Sequence, residues 1–257
     1  MVTALAAVTW LMSTFFVRLD EPWDQSLGGT TSGAYYGLAA RAFEVHGLGN
    51  LRLQPLHFYQ PNTTKTVFAY RNHPPFPHLI TATAYRLLGH DERSLRLPIF
   101  LLTCLTVLGT FMAARRRPGH EVAWIALCLL AATPMFFQYG DMVDAPSFSL
   151  VTLVWAWLAW ERHRRLRSGR SLTLWLIAGG LAGLSDWFGY LLVPVLWLDL
   201  LIRRRDERPW RLAFIAGLPF GLALVAFCLW LIWTAGWQGA LDQLLNLSRV
   251  PSRNDTT

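Results

Sequence analysis

Cysteine is scarce in this chain: Cys104, Cys128 and Cys228 each sit inside an apolar run and show no metal-ligand spacing. They read as packed thiols and say nothing about redox compartment. A Gly-rich phosphate-binding loop, a His/Glu zinc cluster and a Ser nucleophile elbow are all missing, which argues against a nucleotide-driven enzyme or a protease. Internal repeats, coiled-coil heptads and low-complexity tracts are also absent, so solenoid and fibrous architectures are excluded. Above all the sequence lacks the polar residues to cover a soluble surface: 53% of it is hydrophobic, 13 of the 257 residues are Trp, and mean hydropathy is +0.31. Lipid must replace that surface.

What the sequence has instead is a series of apolar runs. A helix rises about 1.5 Å per residue against roughly 30 Å of hydrocarbon. The runs predict an all-α membrane protein with about seven transmembrane helices, at 2–17, 97–114, 122–139, 145–160, 172–185, 188–202 and 212–237. The first run lacks a basic n-region and an Ala-x-Ala site, and reads as a retained anchor. The fifth and sixth are short and parted by Asp186-Trp187, so a re-entrant pair is the other reading. The module is thus expected to occupy 1–237, followed by a polar extracytoplasmic tail over 238–257.

The net charge of +7 is carried largely by arginines placed between apolar runs. Blocks at 115–117, 162–170 and 203–211 hold 13 of the 23 Lys and Arg, and under this span order all three fall on one face. They read as cytoplasmic membrane flanks, not as a nucleic-acid footprint. The N-terminus is then cytoplasmic. Residues 18–96 form a first extracytoplasmic loop, and the turn at 138–144, Asp186 and the tail face the same way.

Two amphipathic segments interrupt that loop. Residues 34–43 have helical spacing and end at Gly47 and Gly49. Residues 78–88 follow Pro77, stop at Gly89, and are too short and polar to cross. Both are expected to lie along the interface.

Acids gather on the outward side. Asp20, Glu21 and Asp24 follow the first run, with a solvated flank as the competing reading. Asp141 and Asp144 sit in a short turn where a carboxylate at bilayer-edge depth is costly unless it faces protein or water. Asp144 also precedes Ala145-Pro146 and is suited to cap the next helix. Asp186 lies between two half-length runs, as a buried acid or a turn former. In Tyr70-Arg71-Asn72-His73-Pro74-Pro75-Phe76-Pro77, three prolines fix an extended backbone that holds Arg71 and His73 at the membrane surface.

The order of these elements resembles the polytopic lipid-linked glycosyltransferases of the C-type superfamily, nearest to protein O-mannosyltransferases and lipid A aminoarabinose transferases. The resemblance covers about residues 1–200. It rests on acids at Asp20–Asp24, on Tyr36-Gly37-Leu38-Ala39-Ala40-Arg41, on His73-Pro74-Pro75, on Leu88-Gly89, and on Arg96-Leu97-Pro98. It implies a sugar moved, with inversion, from a polyprenyl-phosphate donor to an unknown hydroxyl acceptor, at an active site outside the cytoplasm in the plasma (inner) membrane.

By that resemblance the base lies among Asp20, Glu21 and Asp24, with Asp24 chosen, and Asp144 is the second catalytic carboxylate. Ser32 and Gly33 stand where many members carry an Asp-Glu pair, and Asp186-Trp187 stands where members often carry a Lys. Arg71, Arg96 and Lys65 are the candidate phosphate contacts; His73, Tyr36, Asp141 and Asp186 complete the substrate-binding set. The resemblance specifies no definite cofactor and leaves room for a divalent cation, Mg or Mn. The chain is shorter than usual members and is expected to be a fragment, a minimal seven-span module or one partner of a pair. Two other classes share these features. A non-catalytic lipid-binding or assembly subunit needs no ionised Asp24 and Asp144, and a transporter would bury its acids in broken helices, a pattern that Asp186 alone fits.

Overall fold

The computed structural model describes residues 2–20, 30–58, 68–116, 120–203 and 209–245. In chain order these form α1 (Val2–Val17), a 3₁₀ turn (Arg18–Asp20), α2 (Thr30–His46), β1 (Leu56–Phe58), β2 (Phe68–Ala69), α3 (Phe76–Leu88) and α4 (Glu92–Ala114). There follow α5 (His120–Ala132), α6 (Pro134–Tyr139), α7 (Ala145–Leu166), α8 (Gly169–Ser185), a 3₁₀ turn (Trp187–Leu191), α9 (Leu192–Arg203) and α10 (Pro209–Leu245). The fold is nearly all helical. The exception to the all-α expectation is a short antiparallel ribbon of β1 with β2.

Local chemistry sets most boundaries. Asp91 caps α4 by accepting from Ser94 N–H at 2.8 Å, and Ser168 with Ser171 forms a reciprocal capping box at the start of α8. In α2, Tyr36, Ala39, Ala40 and Phe43 make one buried stripe at helical spacing, and the chain leaves the helix at Gly47, whose φ is 80°.

Two predicted runs behave differently from expectation. The run at 122–139 is broken between α5 and α6, because Pro134 has no N–H to donate and holds Thr133 extended. The last helix does not stop at 237: it bends at Gly236 (φ 72°, ψ 173°) and continues to Leu245, where Gln243 bonds the Asn72 side chain. The first residues read as a polar tail are therefore helical and packed against the loop.

Outward faces are apolar where a soluble protein would be charged. Leu101, Leu105 and Leu108 of α4 and Leu222, Val225, Leu229 and Trp233 of α10 are exposed at helical spacing. By length and composition, α4 and α10 are long and apolar enough to cross a bilayer. Small residues close the inner faces: a Cβ at Gly179 would lie 2.6 Å from the Pro219 side chain, and one at Gly183 would lie 2.8 Å from Ala223, so α8 and α10 touch nearly backbone to backbone.

The core divides into clusters. One packs α7, α8, α9 and α10 around Trp160, Trp175 and Phe220; another joins α2 and α4 to α7 through Tyr36, Ile99 and Phe148. A third seats α1 on α5 and α6 through Phe15 and Phe136. The long loop is fastened down by polar bonds as well. Arg52 Nη1 donates to Trp233 O at 3.0 Å, Trp230 Nε1 donates to Arg52 O at 3.0 Å, and Trp187 Nε1 donates to Asn72 O at 2.7 Å. These bonds set the extended run 70–75 against the turn that follows α8.

Candidate active site

Five segments meet at that place. Tyr36 of α2 stacks on His78 of α3 with ring centroids 4.1 Å apart. Tyr70, just past β2, lies 5.7 Å from the His78 ring, and its hydroxyl is bonded to His73 Nδ1. His73 Nε2 lies 3.3 Å from Asp186 Oδ1, beyond the end of α8, and that oxygen also accepts Trp187 N–H at 2.6 Å. Asp144, at the start of α7, caps its helix by accepting Ala145 N–H at 2.7 Å.

The cap does not exhaust Asp144. Its charge raises the proton affinity of Tyr36, Tyr70, His73 and Asp186, so it faces the same cluster. Burial is the larger cause of the upward shift of both phenols, with Asp144 second, and both are neutral donors at physiological pH. For His73 burial lowers the pKa against the opposing pull of Asp186 and Asp144. For Asp186, which is 2% exposed, burial raises it against His73 and the Trp187 N–H. Ionised Asp186 accepts from the Nε2–H, which leaves Nδ1 of neutral His73 to accept from the Tyr70 hydroxyl.

Other predicted residues lie elsewhere. Arg71 Nη2 donates to Gln54 Oε1 at 3.0 Å, while its buried Nε has no hydrogen-bond partner among the described residues. Burial lowers its pKa. Arg96 and Asp141 belong to a second buried group around Arg18. Arg96 Nη1 donates to Arg18 O at 2.8 Å, and Arg18 Nη1 lies 3.5 Å from Asp141 Oδ1 and donates to Phe137 O at 3.0 Å. These contacts tie the end of α1 to α4 and α6. Asp24, Glu21 and Lys65 lie outside the described residues.

Tyr70, His78 and Gln54 were not among the sequence candidates. Tyr70 had a local signal, since it lies three residues before His73 on a stiff run. His78 and Gln54 had none, because their roles depend on how α3 and the 51–55 turn dock. Beside Asp144, Pro146 and Ser147 border a largely apolar cleft of about 290 Å³ walled by Thr103, Leu130, Phe136 and Leu150. Among the described residues no group of three or more His, Cys, Asp or Glu is placed to hold a metal ion.

Residues 72–233, which carry His73, Asp144 and Asp186, match the family described as dolichyl-phosphate-mannose-protein mannosyltransferase. The chain belongs to that family. This family member also shares its fold with two crystal structures of ArnT from Cupriavidus metallidurans. The apo structure is 20% identical over 98% of this chain and 44% of its own, with a TM-score of 0.60. The structure bound to undecaprenyl phosphate is 23% identical over 90% of this chain and 41% of its own, with a TM-score of 0.60. The chain thus spans less than half the length of these relatives. No curated protein sequence matches it significantly.

Proposed function

We propose that this chain carries the active site of a membrane glycosyltransferase, which moves a sugar from a polyprenyl-phosphate donor to a hydroxyl acceptor with inversion. The site opens on the side opposite the arginine blocks, in a bilayer crossed about seven times, and the membrane is the plasma (inner) membrane. The observation that carries this reading is the linked set Tyr70–His73–Asp186 with Asp144 facing it, inside the fold of a mannosyltransferase family.

Each part has a chemical role. Asp24 takes the proton of the acceptor hydroxyl; the freed oxygen attacks the anomeric carbon from the face opposite the phosphate, and that carbon–oxygen bond breaks as polyprenyl phosphate leaves. Charge then grows on the departing phosphate and needs donors already in place. Arg71, whose buried Nε has no partner among the described residues, is one.

Both ring nitrogens of His73 are taken, so His73 acts through Tyr70. When the imidazole takes up a proton from solvent at Nδ1, that N–H donates to the phenol oxygen and the Tyr70 O–H turns to the phosphate. Asp186 fixes the ring for that exchange. Asp144 orients the acceptor or a divalent cation, and the apolar cleft beside it suits part of an isoprenoid tail. ArnT bound to undecaprenyl phosphate supports a lipid phosphate as the ligand class.

The test is transfer from a polyprenyl-phosphate sugar by the purified chain, compared with Asp24→Asn. Transfer by the native chain that Asp24→Asn abolishes supports the reading. Donor binding without transfer by the native chain would instead identify a non-catalytic lipid-binding subunit.

A further inference from the structure

The turn at 51–55 lies outside the group around His73, yet its backbone is held against preference. Arg52 (φ 49°) and Leu53 (φ 60°) are successive residues with side chains in the left-handed region, where glycine costs less. Such a pair persists only where its surroundings over-determine it. Here α10 does so. Arg52 Nη1 donates to Trp233 O and Trp230 Nε1 donates to Arg52 O, both at 3.0 Å, while Leu53 packs on a cluster that includes Phe227 and Leu231.

Gln54 is the residue that this turn delivers. Its amide spans two neighbours that fix which way it points. Arg71 has only donors, so Oε1 faces Nη2 at 3.0 Å; a carbonyl only accepts, so Nε2 faces Thr234 O at 3.5 Å. The flipped amide would set donor against donor and acceptor against acceptor. Trp233 O and Thr234 O stand just before the bend at Gly236, where the helical ladder is interrupted. One side chain thus joins the bend of α10 to Arg71.

The backbone around Arg71 is already fixed. Tyr70 N–H donates to Pro55 O at 2.8 Å, and Asn72 O accepts from Trp187 Nε1 at 2.7 Å. What remains to be aimed is the long arginine side chain, whose rotamer freedom is costly to remove on binding. Gln54 removes it beforehand. With Nη2 held, the buried Nε, which has no partner among the described residues, is left to a ligand. An amide also leaves the charge of the guanidinium undiminished, whereas a carboxylate in its place would neutralise it.

We propose, on the reading that Arg71 contacts the lipid phosphate, that Gln54 is its positioning residue. Anchored on α10 through the strained turn, Gln54 holds the guanidinium ready for the phosphate without quenching its charge.

The full chain in phosphatidylcholine nanodiscs is titrated with undecaprenyl phosphate and, separately, with undecaprenol, which has the same tail and no phosphate. Native mass spectrometry reads bound lipid, and the ratio of the two affinities is the phosphate preference. Arg71→Gln and Gln54→Met should each lower that preference about tenfold, with undecaprenol binding unchanged. The double variant should lose no more than Arg71→Gln alone, because Gln54 acts only through Arg71. Native preference in Arg71→Gln would remove Arg71 from the phosphate, and the proposal would fall with that reading. Loss in Arg71→Gln with native preference in Gln54→Met would overturn the proposal alone and leave Arg71 its contact. So would losses that multiply to about a hundredfold in the double variant, or a Gln54→Met loss shared equally by undecaprenol, which would mark Gln54 as structural. If Gln54→Met fails to fold, Gln54→Glu keeps the shape and puts a negative charge on Arg71; native phosphate preference in that variant would overturn the proposal.

Discussion

Asp24→Asn keeps the shape of the side chain and removes its basicity. Transfer should fall roughly 100-fold to 10,000-fold while donor binding survives, because the proposed phosphate contacts lie on other residues. Near-native transfer would move the base to Asp20 or Glu21. Tyr70→Phe deletes one proposed phosphate donor and should cost on the order of 100-fold in turnover. Asp144→Asn separates cap from charge: Asn caps a helix about as well, so unchanged turnover would leave Asp144 a cap alone.

The same residues make a pH prediction with a fixed sign. Burial depresses His73, and the negative charges of Asp186 and then Asp144 oppose that depression. Asp186→Asn leaves burial unopposed by its largest counterweight, so the titration of His73, followed by ¹⁵N NMR of labelled histidine, should move to lower pH. Asp144→Asn should move it the same way by less. An upward move in either variant would show that the ring is not governed by these charges.

Two glycines distinguish elements that hold the site from elements that merely bend. A Cβ at Gly189 would lie 2.0 Å from the Ala182 carbonyl oxygen, so Gly189→Ala must lift the 3₁₀ turn off the end of α8. It should cost about 1–3 kcal/mol and disturb the His73 titration as well, because Asp186 caps that turn. Gly236 has open space around its missing Cβ but a φ of 72°. Gly236→Ala should cost about 1–3 kcal/mol through the backbone alone and leave His73 unmoved. Thermal unfolding of the detergent-solubilised protein, with the histidine spectrum beside it, reads both.

For the whole molecule, the arginine blocks predict which end faces the cytoplasm. In a background without native cysteines, a cysteine at position 62 should react with an impermeant reagent in intact cells, and one at position 168 should be protected. The reverse pattern would place the His73 group inside the cell, where a lipid-linked donor loses its rationale.

Composition and the spacing of apolar runs were enough to specify a helical bundle in lipid, because hydrocarbon leaves a backbone few other ways to satisfy its polar groups. Helix starts at Asp144 and Ser168 and the stop at Gly47 follow from capping chemistry that is local in sequence. His73, Asp144 and Asp186 were legible because a polar group amid apolar or proline-stiffened chain has few structural uses. Their partners were not. Whether His73 meets Tyr70 and Asp186, or Asp141 meets Arg18, depends on helices distant in sequence closing through glycines and on tryptophan N–H bonds to loop carbonyls. Local rules fixed the elements; their packing alone decided which charges share a space, and so what each of them does.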